Sequence, residues 1–282
     1  MVSPAGFHII ELAPFGVLLT PSDTKVTVEE IDTEVLRTLF RRHQLVVLRG
    51  FRAFESADSF SRYCERWGEV SQWPFGTVLE LVEHATPKDH IFDNSYVPLH
   101  WDGMYRPQVP EYQLFHCVKA PLPDEGGRTT FSHTPLALER ASSEQRALWS
   151  RIQGSYTRRM EFYDSTTVAP LVSKHPHRDL EVIRYNEPPQ SERGSFINPP
   201  ELEFSGGTDD EIAEAHLSLQ EALNHRSVQF AHEWQDDDVV IADNFTLLHG
   251  REAFRSHSSR HLRRVHVLSD PPLENPGLKA YR

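Results

Sequence analysis

Cysteine is scarce: only Cys64 and Cys117 occur in 282 residues. Two thiols cannot build a disulfide framework, and their rarity fits a reducing compartment. Long apolar runs are missing too, with no stretch approaching the roughly 20 residues that cross a bilayer. The opening MVSPAGFHIIELAPFG has neither the cationic start nor the apolar block of a secretory signal. We therefore expect a soluble, cytoplasmic protein. Positive charge is in short supply, with 29 Lys and Arg against 41 Asp and Glu and a net charge of −12. That balance argues against nucleic acid or an anionic membrane surface as a partner. Glycine is modest, at 14 against 20 prolines, which suggests many turns and firm loops. No glycine-rich phosphate loop follows a strand. GTVLEL at 76–81 lacks the GxGxxG spacing, so a dinucleotide fold is disfavoured.

Hydrophobic residues make up 38% of the chain, enough for a sizeable core. Their spacing predicts helices over 33–44, 56–67, 134–152 and 209–224. Aromatic and apolar runs predict strands over 45–51, 112–118, 128–134, 154–160, 169–174, 180–186, 239–242 and 261–268. Cys64 falls inside the second helix, where a packed, unreactive thiol is expected. Short strands separated by turns suit an antiparallel sandwich or barrel better than a parallel sheet. The expected fold class is mainly β with flanking helices.

The stretch VPLHWDGMY at 97–105 carries the first chemical signal. His100 and Asp102 are two apart, and in extended chain such residues point to one side. LLHGREAF supplies His249 after the strand VVIADN. Two imidazoles and one carboxylate on one face of an octahedron leave three positions open, the ligand set of non-haem Fe(II) oxygenases. In a chain with 16 histidines an HxD pair also arises by chance. On spacing alone His116, His133 and His266 are open alternatives. In RHLRRVHV, period-2 alternation puts Arg260, Leu262, Arg264 and His266 on one face and Arg263, Val265 and Val267 on the other. An inward arginine needs a carboxylate partner, which its planar fork binds at two points.

HWDG at 100–103, GGRT at 126–129 and ADNFTLLHGREAF followed by RHLRRVHV resemble the TauD/TfdA branch of Fe(II)/2-oxoglutarate-dependent dioxygenases. WPFGTVLELVE (73–83), NSYVPLHWDGMY (94–105), PEYQLFHCV (110–118), GGRTTFSHTP (126–135) and SFINP (195–199) are further similar to the PvcB-type enzymes of isonitrile biosynthesis. The resemblance covers most of the chain and implies one domain, 1–282, with helical insertions. It implies a double-stranded β-helix (jelly roll), with His100, Asp102 and His249 as iron ligands. Thr129 and Arg264 would hold the far carboxylate of 2-oxoglutarate. The cofactor set is then Fe(II), with 2-oxoglutarate and O2 as cosubstrates. Arg128 departs from the aspartate usual in the family's GGDT segment. A carboxylate at 102 fills the position that iron halogenases of this fold leave to chloride, so halogenation is disfavoured.

The implied reaction converts a tyrosine-derived isocyano carboxylic acid to an aryl vinyl isonitrile by decarboxylation-assisted desaturation. A hydroxylase of a small aromatic or sulfonate acid is the alternative within the family. A non-catalytic binding protein of the same fold is the alternative outside it. For the substrate pocket the sequence offers Tyr96, Trp73 and Phe75 as aromatic surface. Arg158, Arg159 and Arg251 are offered as partners for a carboxylate. Core packing accounts equally well for the aromatics, and a solvated face for the arginines.

Overall fold

The structure, a computed structural model, describes residues 6–281 except 24, 161–162, 191 and 193–195. The SFINP block thus begins at Ser195, outside the described residues.

Two sheets form the body. The larger has seven strands in the order Phe7–Glu11, Val17–Pro21, Leu45–Leu48, Val239–Asp243, Tyr112–Lys119, His261–Val267, Leu79–Leu81. All its pairings are antiparallel except Val17–Pro21 with Leu45–Leu48. The smaller runs Gln229–His232, Thr129–His133, Leu247–Arg251, Val97–His100, antiparallel throughout. The sheets face each other across a core that joins Phe115, Val240 and Leu262 of the large sheet to Phe131 and Leu247 of the small one. Alternation along Tyr112–Lys119 explains how one strand serves two cores. Phe115 and Cys117 point between the sheets, whereas Tyr112 and Leu114 pack outward beneath the helices Thr33–His43 and Ala57–Cys64. With both faces covered, the strand reads as a nearly continuous apolar run, which is why it was legible in sequence.

The helix Thr33–His43 starts at Asp32, whose side chain accepts the Glu34 N–H, and turns back at Gln44 in the left-handed region. The helix expected over 134–152 is two helices, Thr134–Arg140 and Ser143–Arg151. Ala141 adopts extended backbone, and Ser142 with Gln145 forms a reciprocal capping box that starts the second helix. These helices and Asp209–Leu223 pack behind the small sheet with Leu99 and Leu248. A third sheet, Glu201–Ser205, Gln153–Met160, Tyr163–Pro170 and Leu278–Ala280, forms a separate layer. Among the described residues no helix is long and apolar enough to cross a membrane. Both cysteines are free and buried, and burial pushes the Cys64 thiol well above its ordinary range, so it is unreactive.

Trp149 is fully buried between Ser143–Arg151 and Asp209–Leu223, and its indole N–H donates to Ser218 Oγ at 3.0 Å. Trp149→Ala should destabilise the fold by about 3–5 kcal/mol in urea unfolding. Because Trp149 lines neither cavity beside His100 and His249, metal binding per folded molecule should be retained.

Candidate active site

His100 ends the strand Val97–His100, and His249 lies in the middle of its neighbour Leu247–Arg251. The two histidines are direct partners in the antiparallel register, with ring centroids 4.2 Å apart. Asp102 follows in the turn after the strand. His100, Asp102 and His249 each offer a ligand atom within 4.8 Å of the others. Asp102 Oδ1 is 3.7 Å from His100 Nε2, and Oδ2 is 3.6 Å from His249 Nε2. His100 Nδ1 donates to the Pro98 carbonyl at 2.8 Å, which leaves the Nε2 lone pair facing the cluster.

The turn that brings Asp102 into place is built by two residues. Gly103 has φ +92, and a Cβ there would sit 2.6 Å from Pro110 Cδ, so only glycine fits. Asn244, fully buried, brackets Asp102. Its Oδ1 accepts the Asp102 N–H at 2.8 Å, and its Nδ2 donates to the carbonyls of Asp102 and Pro110 at 2.9 and 2.8 Å. Arg184 backs this arrangement, donating to the Asn244 carbonyl at 2.9 Å with its guanidinium 5.1 Å over the Trp101 ring.

The carboxylate of Asp102 is surrounded by donors. Oδ2 accepts from Gln113 Nε2 at 2.6 Å and from His266 Nε2 at 2.8 Å, and Arg264 Nη1 lies 2.8 Å away. Burial opposes its ionisation, but the Arg264 guanidinium, with the hydrogen bond from His266, outweighs this and holds the carboxyl well below the usual range. Burial pushes the His100 and His249 imidazoles down, so both are neutral as metal ligation requires. A neutral, neutral, anionic donor set of this kind fits a divalent iron with open positions.

Arg264 and His266 share the inward face, while Arg263 pairs with Glu80 and Val265 packs outward. The sequence reading put the cosubstrate anchor on Arg264, but that guanidinium already has a carboxylate in Asp102. Arg260 differs. It is 4% exposed, bonds the Gly127 carbonyl through Nε at 3.0 Å, and has no carboxylate partner among the described residues. Burial, with Arg251 adding repulsion, pushes its pKa down to about 9. A half-open cleft of about 440 Å³, counting its open mouth, lies beside His249 and is lined by Arg260, Arg264, Thr129 and Phe115. The GGRT segment shapes this wall. Gly127 has φ +78, and a Cβ on it would meet Arg260 Cδ at 2.9 Å. Thr129 Oγ1 accepts the Trp234 indole N–H at 3.0 Å. Arg128 points the other way, forked onto Glu252 at 2.7 and 2.6 Å, so its departure from aspartate leaves Thr129 in the cavity wall.

A second cavity, about 740 Å³ with its open mouth, adjoins the cluster and is lined by His100, Asp102, Arg264, Arg158, Trp73 and Tyr105, among others. Trp73 is stacked on Phe75 at 5.6 Å and carries the Arg106 guanidinium 4.4 Å over its ring. Phe75 itself is 37% exposed and not in the lining. Tyr96 sits behind the wall, its hydroxyl accepting the Gln190 N–H at 2.5 Å and its ring against Phe196. Arg159 points to solvent and pairs with Glu201. Arg251 is spent on the backbone. It donates to the carbonyls of His90, Ile91, Asp93 and Ser95 at 2.6–3.1 Å and lies 3.5 Å from Asp93 Oδ1, so it straps segment 90–95.

A family model described as "Taurine catabolism dioxygenase TauD, TfdA family" matches residues 12–266. The chain belongs to the TauD/TfdA family. Within it, the chain is 51% identical over 265 residues to a tyrosine isonitrile desaturase of Pseudomonas aeruginosa, covering 94% of this chain and 91% of that protein. It is 40% identical to a 3-((Z)-2-isocyanoethenyl)-1H-indole synthase of Fischerella ambigua, over 94% of this chain and 96% of that protein. A solved structure described as PvcB, an Fe, alpha-ketoglutarate dependent oxygenase from an isonitrile synthetic pathway, superposes with a TM-score of 0.85 at 45% identity, covering 99% of this chain and 98% of that one. The TauD/TfdA signature as read from sequence missed Gln113, His266, Asn244 and Arg260. Of these, Arg260 and His266 had a signal, their places on the inward face of RHLRRVHV. Gln113 and Asn244 touch Asp102 only through the fold.

Two predictions follow from this geometry. Gln113→Leu and His266→Phe should each weaken Co(II) binding about 10- to 100-fold, read by titration of the visible band, because they free the Asp102 carboxylate to reorient. Co(II) affinity of the parent should also fall with pH as protons compete for the imidazoles. Since burial lowers both imidazole pKa values, that loss should begin below the ordinary histidine range rather than within it.

Proposed function

We propose that this TauD/TfdA member is an Fe(II)/2-oxoglutarate-dependent oxygenase that converts a tyrosine-derived isocyano carboxylic acid to an aryl vinyl isonitrile. The observation that carries the reading is the juxtaposition of two neutral imidazoles and one carboxylate with the buried Arg260, which has no carboxylate partner among the described residues. The relatives' names supply the substrate class. On this reading residues 1–282 are one catalytic unit whose two facing sheets form a double-stranded β-helix (jelly roll). The enzyme works in the cytoplasm, on a small molecule.

His100, Asp102 and His249 would hold the iron. When bound, Fe(II) with 2-oxoglutarate and O2 supplies the oxidant that removes the benzylic hydrogen of the substrate. The protein's residues do the rest. Arg260, with Thr129 beside it, would receive the distal carboxylate of 2-oxoglutarate and so neutralise a cation that is otherwise costly to bury. Arg264 keeps Asp102 ionised and presents positive charge where the cavities meet. Trp73 supplies aromatic wall for the aryl ring. The cavity would position the substrate carboxylate against the developing radical and so slow oxygen transfer. The balance is one substrate, one 2-oxoglutarate, one O2 and a proton giving vinyl isonitrile, succinate, two CO2 and water.

Mass spectrometry of the product tests the reading. Loss of CO2 and two hydrogens, dependent on 2-oxoglutarate and O2, is expected. Gain of one oxygen with the carboxylate retained would make the enzyme a hydroxylase. Arg260→Lys should raise the 2-oxoglutarate requirement roughly ten- to a hundredfold, since an ammonium cannot reproduce a two-point fork. An unchanged requirement would return the anchor to Arg264.

A further inference from the structure

The strand Gln153–Met160 sends Arg158 toward the cavity that contains the metal cluster. It is 5% exposed, and its Nη2 is 2.5 Å from Asp89 Oδ2, itself on a residue 3% exposed. Among the described residues its hydrogen bonds all run through Nη2, and Nε is buried with none. Asp89 is held from the far side by Asn198 Nδ2 at 3.2 Å and by the Ile91 N–H at 3.1 Å. His90 lies between them, 3.4 Å from both partners. Burial and the Arg158 charge push its pKa down to about 3, so the group holds one positive and one negative charge. A buried ion pair rarely adds stability, whereas breaking it by removing one partner is expensive. Such a pair in a cavity wall, with donor capacity unspent, is built for a ligand.

We propose that Arg158 docks the substrate carboxylate and that Asp89 is the counter-ion that remains when that carboxylate leaves as CO2. The inference rests on the substrate reading above. In the step concerned, the substrate loses its benzylic hydrogen and one further electron to the oxidant derived from 2-oxoglutarate and O2. The bond between the α-carbon and the carboxylate carbon then breaks, and its electron pair becomes the new π bond. A lone buried arginine would hold the carboxylate tightly and be stranded once the charge departed. Shared with Asp89, it binds the carboxylate less tightly in the ground state and ends as a neutral pair. Asp89 is thus a positioning residue that acts through Arg158.

The test is anaerobic titration of the Fe(II)–2-oxoglutarate protein, followed by its visible charge-transfer band, with two probes: the tyrosine-derived isocyano acid and the same isonitrile without its carboxylate. Arg158→Gln should raise the Kd of the acid roughly ten- to a hundredfold and leave that of the carboxylate-free probe within twofold. Asp89→Asn should lower the Kd of the acid severalfold yet slow product release of CO2 in single turnover, shifting product toward the oxygenated acid. The neutral double variant Arg158→Gln with Asp89→Asn strands no charge. It should fold as the parent does and still lose the acid selectively, which guards against misfolding of either single variant. An acid Kd unchanged by Arg158→Gln would overturn the dock. Asp89→Asn with unaltered affinity and product would overturn the counter-ion role. If neither probe perturbs the parent's band, the substrate reading itself falls and takes this inference with it.

Discussion

The centre of this protein is organised around burying one carboxylate. Asp102 must stay ionised inside the body, beside two imidazoles that burial keeps neutral, and its backbone must be held in a turn that only a glycine can follow. Each need is met from a different part of the chain. Asn244 grips the backbone on both sides, and Gln113, His266 and Arg264 converge on Oδ2. With Oδ2 so occupied, Oδ1 is the oxygen left for an ion. The donors come from the large sheet and the imidazoles from the small one, so the two sheets must keep their spacing for the cluster to exist. The packing of Phe115 against Phe131 and His249 serves that end.

Charge matching then sorts the arginines. Arg264 has Asp102, Arg158 has Asp89, Arg128 has Glu252, and Arg251 has Asp93 together with four carbonyls. Among the described residues Arg184 and Arg260 are buried, bond one carbonyl each and have no carboxylate partner, but Arg184 is packed on Trp101 whereas Arg260 lines the cavity beside His249. Because an unmatched buried cation is costly, its place in a cavity wall is informative in a way that exposure or spacing is not.

The sequence carried the ligands and the sheet, and it did so for physical reasons. Strands covered on both faces, such as Tyr112–Lys119 and Val239–Asp243, are apolar enough to read at once. His100, Asp102 and His249, which the fold brings within ligand distance of one another, stand out in sequence because few residue types can ligate a metal. Arg260 and Arg264 alternate with apolar residues on one strand, so the inward face was legible but the choice between them was not. That choice depends on which already has an anion, a tertiary fact. Gln113 and Asn244 are ordinary amides in sequence, and only the approach of Asp102 gives them a role. The break at Ala141 was missed because Ser142 and Gln145 read as helix interior when the apolar spacing runs on past them.

The strand that carries His249 also joins the metal cluster to the proposed substrate dock. Two residues beyond His249, Arg251 straps the carbonyls of segment 90–95, whose first turn is capped by Asp89. Asp89 in turn holds Arg158, which comes from the third sheet. His249, the Arg251 strap, Asp89 and Arg158 are therefore joined in series, through strand Leu247–Arg251, segment 89–95 and the Asp89–Arg158 ion pair, rather than being separate features. A shift of segment 90–95 would move Asp89 without moving His100 or Asp102, since those are held by Pro98, Asn244 and the donors on Oδ2. The arrangement separates two tasks. The sheets and Asn244 hold the His100, Asp102 and His249 cluster, while the third sheet and the strapped segment hold the Arg158–Asp89 pair. If Arg158 is the dock proposed above, substrate preference can change by altering it and its surroundings while the cluster stays intact.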